Sequence, residues 1–260
     1  MVGSEKIKEY ANMLYEAEAS RVAIPPLTEI DPQLDIDDAY AIQLENVRRV
    51  VEEGHSISGK KIGLTSFGIQ KQLGVNEPDY GHLFHAMDCK DGKVTIDRLM
   101  QAKIEGEVAF VLKDDLKGGN VTAEDVRSAT DYVVAAFEIV DSRVADWKIK
   151  LVDTVSDNAS SGRYVLGSKK VSIDQVDLPK VHMTLTKNGE PAGEGDGSAV
   201  LGDPAEAVAW LSNKLWSYGV SLNKGEVILS GAFSAAPAAK KGDVFLADFG
   251  ELGSVEAVFI

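Results

Sequence analysis

The run Ile104-Glu105-Gly106-Glu107-Val108-Ala109-Phe110-Val111-Leu112 constrains this chain more than any other stretch. Beyond Glu107 it reads as a buried strand, apolar from Val108 to Leu112 and ended by the turn Lys113-Asp114-Asp115. Two carboxylates therefore stand at the mouth of a strand, two positions apart. Residues i and i+2 of an extended chain point to the same face, so Glu105 and Glu107 project side by side. Adjacent half-buried carboxylates repel and are costly to desolvate, unless one is protonated or a cation lies between them. A hard divalent cation with oxygen ligands, Mg²⁺ or Mn²⁺, meets that need. A third acid, Glu138, sits inside the apolar run Val133 to Val140, where it needs a partner and can complete the set.

A net charge of −14, from 41 acids against 27 bases, argues against sequence-independent nucleic-acid binding and against an anionic membrane surface. It leaves room for an anionic small substrate, because a bound cation and a few bases reverse the local field. The single cysteine, Cys89, rules out internal disulfides and a thiolate zinc cluster, which fits a reducing cytoplasm. No apolar signal core opens the chain, and no run reaches the roughly 20 apolar residues of a membrane span. The expectation is a cytoplasmic protein.

Helical spacing of Ile7, Tyr10, Ala11 and Leu14 predicts a helix from Glu5 to Ala19, with Ser4 as its cap. A proline-rich loop precedes a second helix from Asp35 to Val51, capped by Asp35 and ended by Gly54. These two make an N-terminal helical lobe, residues 1–55, ahead of a larger unit, residues 56–260. A short strand is expected at Ser58 to Ser66, a brief helix from Ser66 to Leu73, and a turn at Glu77-Pro78-Asp79-Tyr80-Gly81. Thr122 and Asp125 form a capping box before the Glu138 strand. The polar run Ser156 to Gly162 reads as a loop. The C-terminal part alternates strands (Val181–Thr186, Glu226–Gly231, Val244–Phe249, Ser254–Ile260) with turns, Asn188-Gly189 among them. One helix, capped by Asp203 with Pro204 first, interrupts them. Strands gathered at the end and helices elsewhere argue for α+β.

Among residues able to do chemistry, Lys61 lies between glycines beside an apolar strand. A lysine held near apolar surface and a metal has a lowered pKa, suited to proton transfer near neutrality. Lys60 reads as a solvated surface lysine. Asp79 is a second acid–base candidate in its turn, and the histidines, including His82 and His85, read as surface or loop residues.

Several motifs then fall in order: Lys61-Ile62-Gly63-Leu64-Thr65, Gln72-Leu73-Gly74-Val75 with Pro78-Asp79-Tyr80-Gly81, and Ile104-Glu105-Gly106-Glu107. Phe137-Glu138-Ile139-Val140-Asp141-Ser142-Arg143 and Asp146-Trp147-Lys148-Ile149 through Asp157-Asn158-Ala159-Ser160 follow. Together they resemble the 2-hydroxypenta-2,4-dienoate (2-keto-4-pentenoate) hydratases of aromatic meta-cleavage pathways, in the fumarylacetoacetate hydrolase superfamily. The 4-oxalocrotonate decarboxylases are their sister group. The resemblance covers nearly the whole chain. It implies a mixed β-roll core and Mg²⁺ or Mn²⁺ held by Glu105, Glu107 and Glu138. Lys61 matches the family's catalytic lysine, with Asp79 its acidic companion, while Ser160 and Leu64 fall on the substrate pocket. It also implies a homo-oligomer, with a complex with the sister enzyme open. The metal would chelate the 2-oxygen and carboxylate of the substrate, so that the dienoate ketonises and accepts water. Pro-Asp-Tyr-Gly and Asp146-Trp147 follow the hydratase pattern, the decarboxylases lacking the aspartate. Ser234-Ala235-Ala236 leans toward the decarboxylases instead, so decarboxylation of 2-oxo-hex-3-enedioate is the alternative activity. A silent, stabilising subunit is the alternative from outside catalysis.

Overall fold

The structure, a computed structural model, describes residues 2–260, apart from the side chains of Ile69, Gln72 and Leu73. Helices α1 (Ser4–Ser20), α2 (Leu27–Ile30) and α3 (Ile36–Glu52) lead to β1 (Ile57–Gly63), α4 (Phe67–Leu73) and β2 (Asp79–Phe84). After β3 (Lys93–Val94) come β4 (Lys103–Leu112), α5 (Ala123–Ala129), β5 (Thr130–Val140), α6 (Leu151–Ser156) and β6 (Ser161–Leu166). The chain ends with the hairpin β7 (His182–Lys187) and β8 (Glu190–Asp196), then α7 (Pro204–Trp216), β9 (Val227–Ala232), β10 (Val244–Asp248) and β11 (Ser254–Phe259).

Two mixed sheets result, one of six strands in the order β2-β1-β9-β4-β5-β6 and one of five in the order β3-β11-β10-β7-β8. Strand alternation gives the first sheet two different faces. Val108, Phe110, Val133, Ala135 and Phe137 point one way, into a shared core with Phe245, Ala247, Val255 and Phe259 of the second sheet. The opposite face carries a smaller apolar cluster that includes Leu83, Ala109, Ala136, Tyr164 and Leu229. Through the pairings Lys61↔Leu229, Leu229↔Ala109 and Glu105↔Glu138, that same face also holds Lys61, Glu105, Glu107 and Glu138. The fold is thus α+β, with the helices α1 to α3 laid beside a β core.

Capping follows the sequence closely. Asp35 and Asp38 exchange side-chain to backbone bonds at the start of α3, and Thr122 and Asp125 do so at α5. At α1 the cap is Gly3, with no side-chain bond, and Ser4 is the first helical residue rather than the cap. Asn188 and Gly189 both take positive φ between Lys187 and Glu190, which makes the tight hairpin turn expected of that pair. Three regions differ from expectation. Asp79-Tyr80-Gly81 begins β2 rather than ending a turn, because its backbone pairs with Gly63 to Lys61 of β1. The polar run after Val155 is only partly a loop, since Ser161 onward joins β5 as an edge strand. Lys60 is buried, not solvated, because both edges of β1 are paired, and its ammonium is held by Glu226 at 2.7 and 2.9 Å. Among the described residues no helix is long and apolar enough to cross a membrane.

Candidate active site

The charged cluster is assembled from four strands of the six-stranded sheet. Glu105 and Glu107 come from β4, Glu138 from the paired position on β5, Lys61 from β1 and Asp79 from the start of β2. Oxygens of the three glutamates lie within 4.8 Å of one another. Glu107 and Glu138 are fully buried, while Glu105 keeps some exposure and marks the outer edge of the group. Lys61 Nζ stands 3.1 Å from Glu138 Oε1, an ion pair too poorly aligned to count as a hydrogen bond. Glu107 Oε2 accepts the backbone N–H of Gly231 at 2.8 Å. That amide is aimed by a β-bulge where β9 passes Glu107, with Gly231 at φ 118°. A Cβ there would lie 2.2 Å from Thr65 Oγ1, so only glycine fits. Gly63 has a different use. A Cβ on it would meet Asp79 Oδ1 at 2.2 Å and Lys61 Nζ at 3.6 Å, so its bare backbone is where the two functional groups converge.

The electrostatics are unbalanced. Burial, then the neighbouring Glu138 and Glu105, push the carboxyl of Glu107 well above the usual range. Burial pushes Glu138 up to about 7 against the opposing pull of Lys61, and Glu105 and Asp79 are raised by burial too. Burial works against the charge on Lys61, but Glu138, Asp79, Glu105 and Glu107 outweigh it, so its pKa is raised. With no cation among them these carboxylates hold the lysine as an ammonium, opposite in sign to the lowering expected beside a bound metal. Glu107 Oε1 and both oxygens of Glu138 are buried without a hydrogen-bond partner. Three clustered oxygen donors, several of them orphaned, and no histidine or cysteine among them, fit a hard divalent cation.

Ser160 and Leu64 flank the cluster. No hydrogen bond or ion pair joins either to its charged groups among the described residues. Leu64, half-buried, takes φ 56° and its carbonyl accepts from Gln70 Nε2 at 2.7 Å. Ser160 is buried, with its hydroxyl 3.3 Å from that of Thr154. It ends three successive left-handed residues, Asn158, Ala159 and Ser160, a costly backbone held by its surroundings. Asn158 bonds both backbone groups of His82, at 2.7 and 2.9 Å. A Cβ on Gly81, the partner of Lys61 across β1 and β2, would lie 2.3 Å from the carbonyl oxygen of Asn158, so this loop rests directly beside the lysine.

Residues 81–260 match the family model for the fumarylacetoacetate (FAA) hydrolase C-terminal region. The chain belongs to this family. A relative from Paraburkholderia xenovorans (strain LB400), the 2-keto-4-pentenoate hydratase, is 48% identical over 97% of this chain and 94% of its own length. The 2-hydroxyhexa-2,4-dienoate hydratase of Comamonas testosteroni is 46% identical over 94% of both. Among solved structures, the 4-oxalocrotonate decarboxylase of Pseudomonas putida G7, in complex with magnesium and adipate, superposes with a TM-score of 0.97. It is 36% identical over 100% of this chain and 99% of that one.

Around this cluster, in a chain of the fumarylacetoacetate hydrolase family, stand supports whose role the sequence alone does not reveal. Arg143 and Asp157 form a buried ion pair behind the Ser160 loop, and Arg143 also donates to the carbonyls of Ser161 and Asp157. Breaking such a pair strands a buried charge, which typically costs about 3–5 kcal/mol. Their adjacency to the Glu138 run and the polar loop was visible, but nothing in the spacing linked them. Gln43 had a clearer signal, an amide on the apolar side of α3 among Ala39, Tyr40, Ile42 and Val47.

His82 is likewise buried, not a surface residue. Gln43 Nε2 donates to the carbonyls of Tyr80 and Val155, which leaves Gln43 Oε1 to accept from His82 Nδ1 at 3.0 Å. Burial, then the charge of Lys60, lowers this imidazole from 6.5 to about 3. As pH falls below 6.5, the unfolded chain gains a proton here that the folded chain refuses, so stability is lost toward acid. His82→Gln, which cannot charge, should lose about 2 kcal/mol less than the parent between pH 6.5 and about 5. Chemical denaturation at the two pH values measures this, and equal losses would refute the neutral, buried histidine.

Proposed function

We propose that this chain is a divalent-metal-dependent hydro-lyase that adds water to 2-hydroxypenta-2,4-dienoate, giving 4-hydroxy-2-oxopentanoate. The observation that carries the reading is the set of orphaned carboxylates facing a buried lysine and a buried aspartate. Relatives at 48% and 46% identity named as hydratases support it. A cation held by Glu105, Glu107 and Glu138, Mg²⁺ or Mn²⁺ in this proposal, would when bound act as Lewis acid toward the substrate's 2-oxygen and carboxylate.

The protein's own groups supply the proton transfers. The dienol gives its 2-hydroxyl proton to Asp79 and gains one at C5 from Lys61, yielding 2-oxopent-3-enoate. Asp79 returns its proton to the adjacent Lys61 before the next step. Water then adds across C3 and C4, hydroxyl to C4 and proton to C3. Lys61 Nζ, kept protonated by its neighbours, is the donor to carbon. Asp79, raised by burial and set against Lys61 above Gly63, takes the proton from water. Ser160 and Leu64 line the substrate's side of the pocket. The proposal extends to a cytoplasmic homo-oligomer, with residues 1–55 as a helical lobe on a catalytic domain of residues 56–260.

A second reading, decarboxylation of 2-oxo-hex-3-enedioate, rests on the likeness to the Pseudomonas putida decarboxylase and on Ser234-Ala235-Ala236. Purified protein with Mg²⁺ and no partner enzyme should bleach the ultraviolet absorbance of the C5 dienoate, and a chelator should stop it. Undiminished activity after chelation would overturn the metal's role. Persistent absorbance with metal present would favour a silent subunit.

A further inference from the structure

A separate surface cavity of about 480 Å³ is lined by Lys103, the first residue of β4 and two positions before Glu105. Lys103, Lys240 and Lys241 line it, no aspartate or glutamate does, and Leu99, Met100 and Trp147 supply apolar walls. In a chain of net charge −14 such a cationic, acid-free recess is unusual. Acids do stand behind its walls: Asp141 accepts the backbone N–H groups of Met100 and Gln101, Asp243 accepts that of Lys240, and exposed Asp97 lies 3.3 Å from Lys241 Nζ. Lys103 has no ion-pair partner among the described residues. Its Nζ instead lies 4.2 Å from the centre of the Trp147 ring. A cation over a ring face keeps N–H donors free for an anion.

The tryptophan is a fixed wall. Its indole N–H donates to the carbonyl of Gln101 at 3.0 Å, and Gln101 Nε2 donates to the carbonyls of Ser142 and Val144. Asp146 and Trp147 both take left-handed φ, of 58° and 54°, a strained pair of the kind found at ligand clamps. On β4, Lys103 precedes Glu105 by two positions and shares its face. Glu105 is the least buried member of the cluster, so Lys103 is the next side chain outward along that face.

We propose that this cavity is an entry subsite for amphipathic carboxylates. Lys103 receives the carboxylate, Trp147, Leu99 and Met100 receive the unsaturated chain, and the ligand then passes inward beyond Glu105. A local cation at the mouth offsets the repulsion an anionic substrate meets from the protein as a whole. The inference rests on the reading of the substrate as a small unsaturated carboxylate, and its test is kept apart from turnover.

Sorbate, hexa-2,4-dienoate, has the carboxylate and the diene but no 2-oxygen to chelate a metal. Calorimetric titration of the metal-free protein with sorbate should show binding that Lys103→Gln weakens about tenfold and Lys103→Arg restores. The uncharged hexa-2,4-dien-1-ol should not bind detectably. In the dienoate assay, Lys103→Gln should raise KM about tenfold and leave kcat within about twofold. Unchanged sorbate affinity in Lys103→Gln, or equal binding of the alcohol, would overturn the subsite. Lys103-dependent sorbate binding in a protein that hydrates nothing would uphold the subsite and overturn only the hydratase reading.

Discussion

Glu107→Gln is expected to raise the melting temperature of the metal-free protein while abolishing nearly all turnover. Glu107 is fully buried, one of its oxygens has no partner, and Glu138 and Glu105 repel it. Glutamine keeps the shape and can still accept the Gly231 N–H, but it removes the charge. Relief of the repulsion among these buried carboxylates is worth on the order of 1–3 kcal/mol, or a few degrees in a chain of this size. The same change takes one charge from the cation's ligand set. Activity in excess Mg²⁺ should fall by about three orders of magnitude, equivalent to about 4 kcal/mol of lost transition-state stabilisation. Calorimetric scans in chelator, paired with the ultraviolet assay, read both halves. A variant that melts below the parent in chelator would show that Glu107 is a structural carboxylate rather than a ligand held ready.

Asp79→Asn should slow hydration of the C5 dienoate by about two to three orders of magnitude while leaving Mg²⁺ affinity within about threefold. Asp79 lies outside the glutamate cluster and meets Lys61 above Gly63, so the isosteric amide leaves the cation's donors in place. It removes the carboxylate beside the ammonium that lies outside the cation's ligand set. The same substitution separates the two candidate reactions. Decarboxylation expels neutral carbon dioxide from a substrate with a second carboxylate, and an anionic Asp79 at that end would disfavour its binding. Rates on the C5 dienoate and on 2-oxo-hex-3-enedioate, with carbon dioxide monitored, decide the matter. Normal hydration by the variant, or faster decarboxylation than hydration by the parent, would reverse the assignment.

Much of this site was legible because its chemistry is local in sequence. Glu105 and Glu107 share a face by strand periodicity alone, and Glu138 betrays itself as an acid inside an apolar run. Lys61 and Asp79 stood out as acid–base candidates from their surroundings, and the family resemblance paired them as catalytic lysine and acidic companion. What stayed hidden depends on which strands become neighbours. Lys60 was misread because one cannot tell from Gly59-Lys60-Lys61 that β9 brings Glu226 alongside. For Lys61 burial was foreseen, but not that the surrounding carboxylates outweigh it where no cation neutralises them. Asp79 was placed in a turn on proline and glycine chemistry, which pairing with β1 overrode.

The insertion of β9 between β1 and β4 has a consequence for the order in which this molecule can come into being. Lys61 and Glu107 are separated in the finished sheet by a strand made from residues 227–232, so the two cannot take their final places relative to each other until that late segment arrives. A nascent chain emerging from the ribosome would carry all the glutamates long before it could arrange them around the lysine. The ligand set needs no such wait: Glu105, Glu107 and Glu138 lie on the directly paired strands β4 and β5, so cation capture would precede the arrival of the lysine that works beside it.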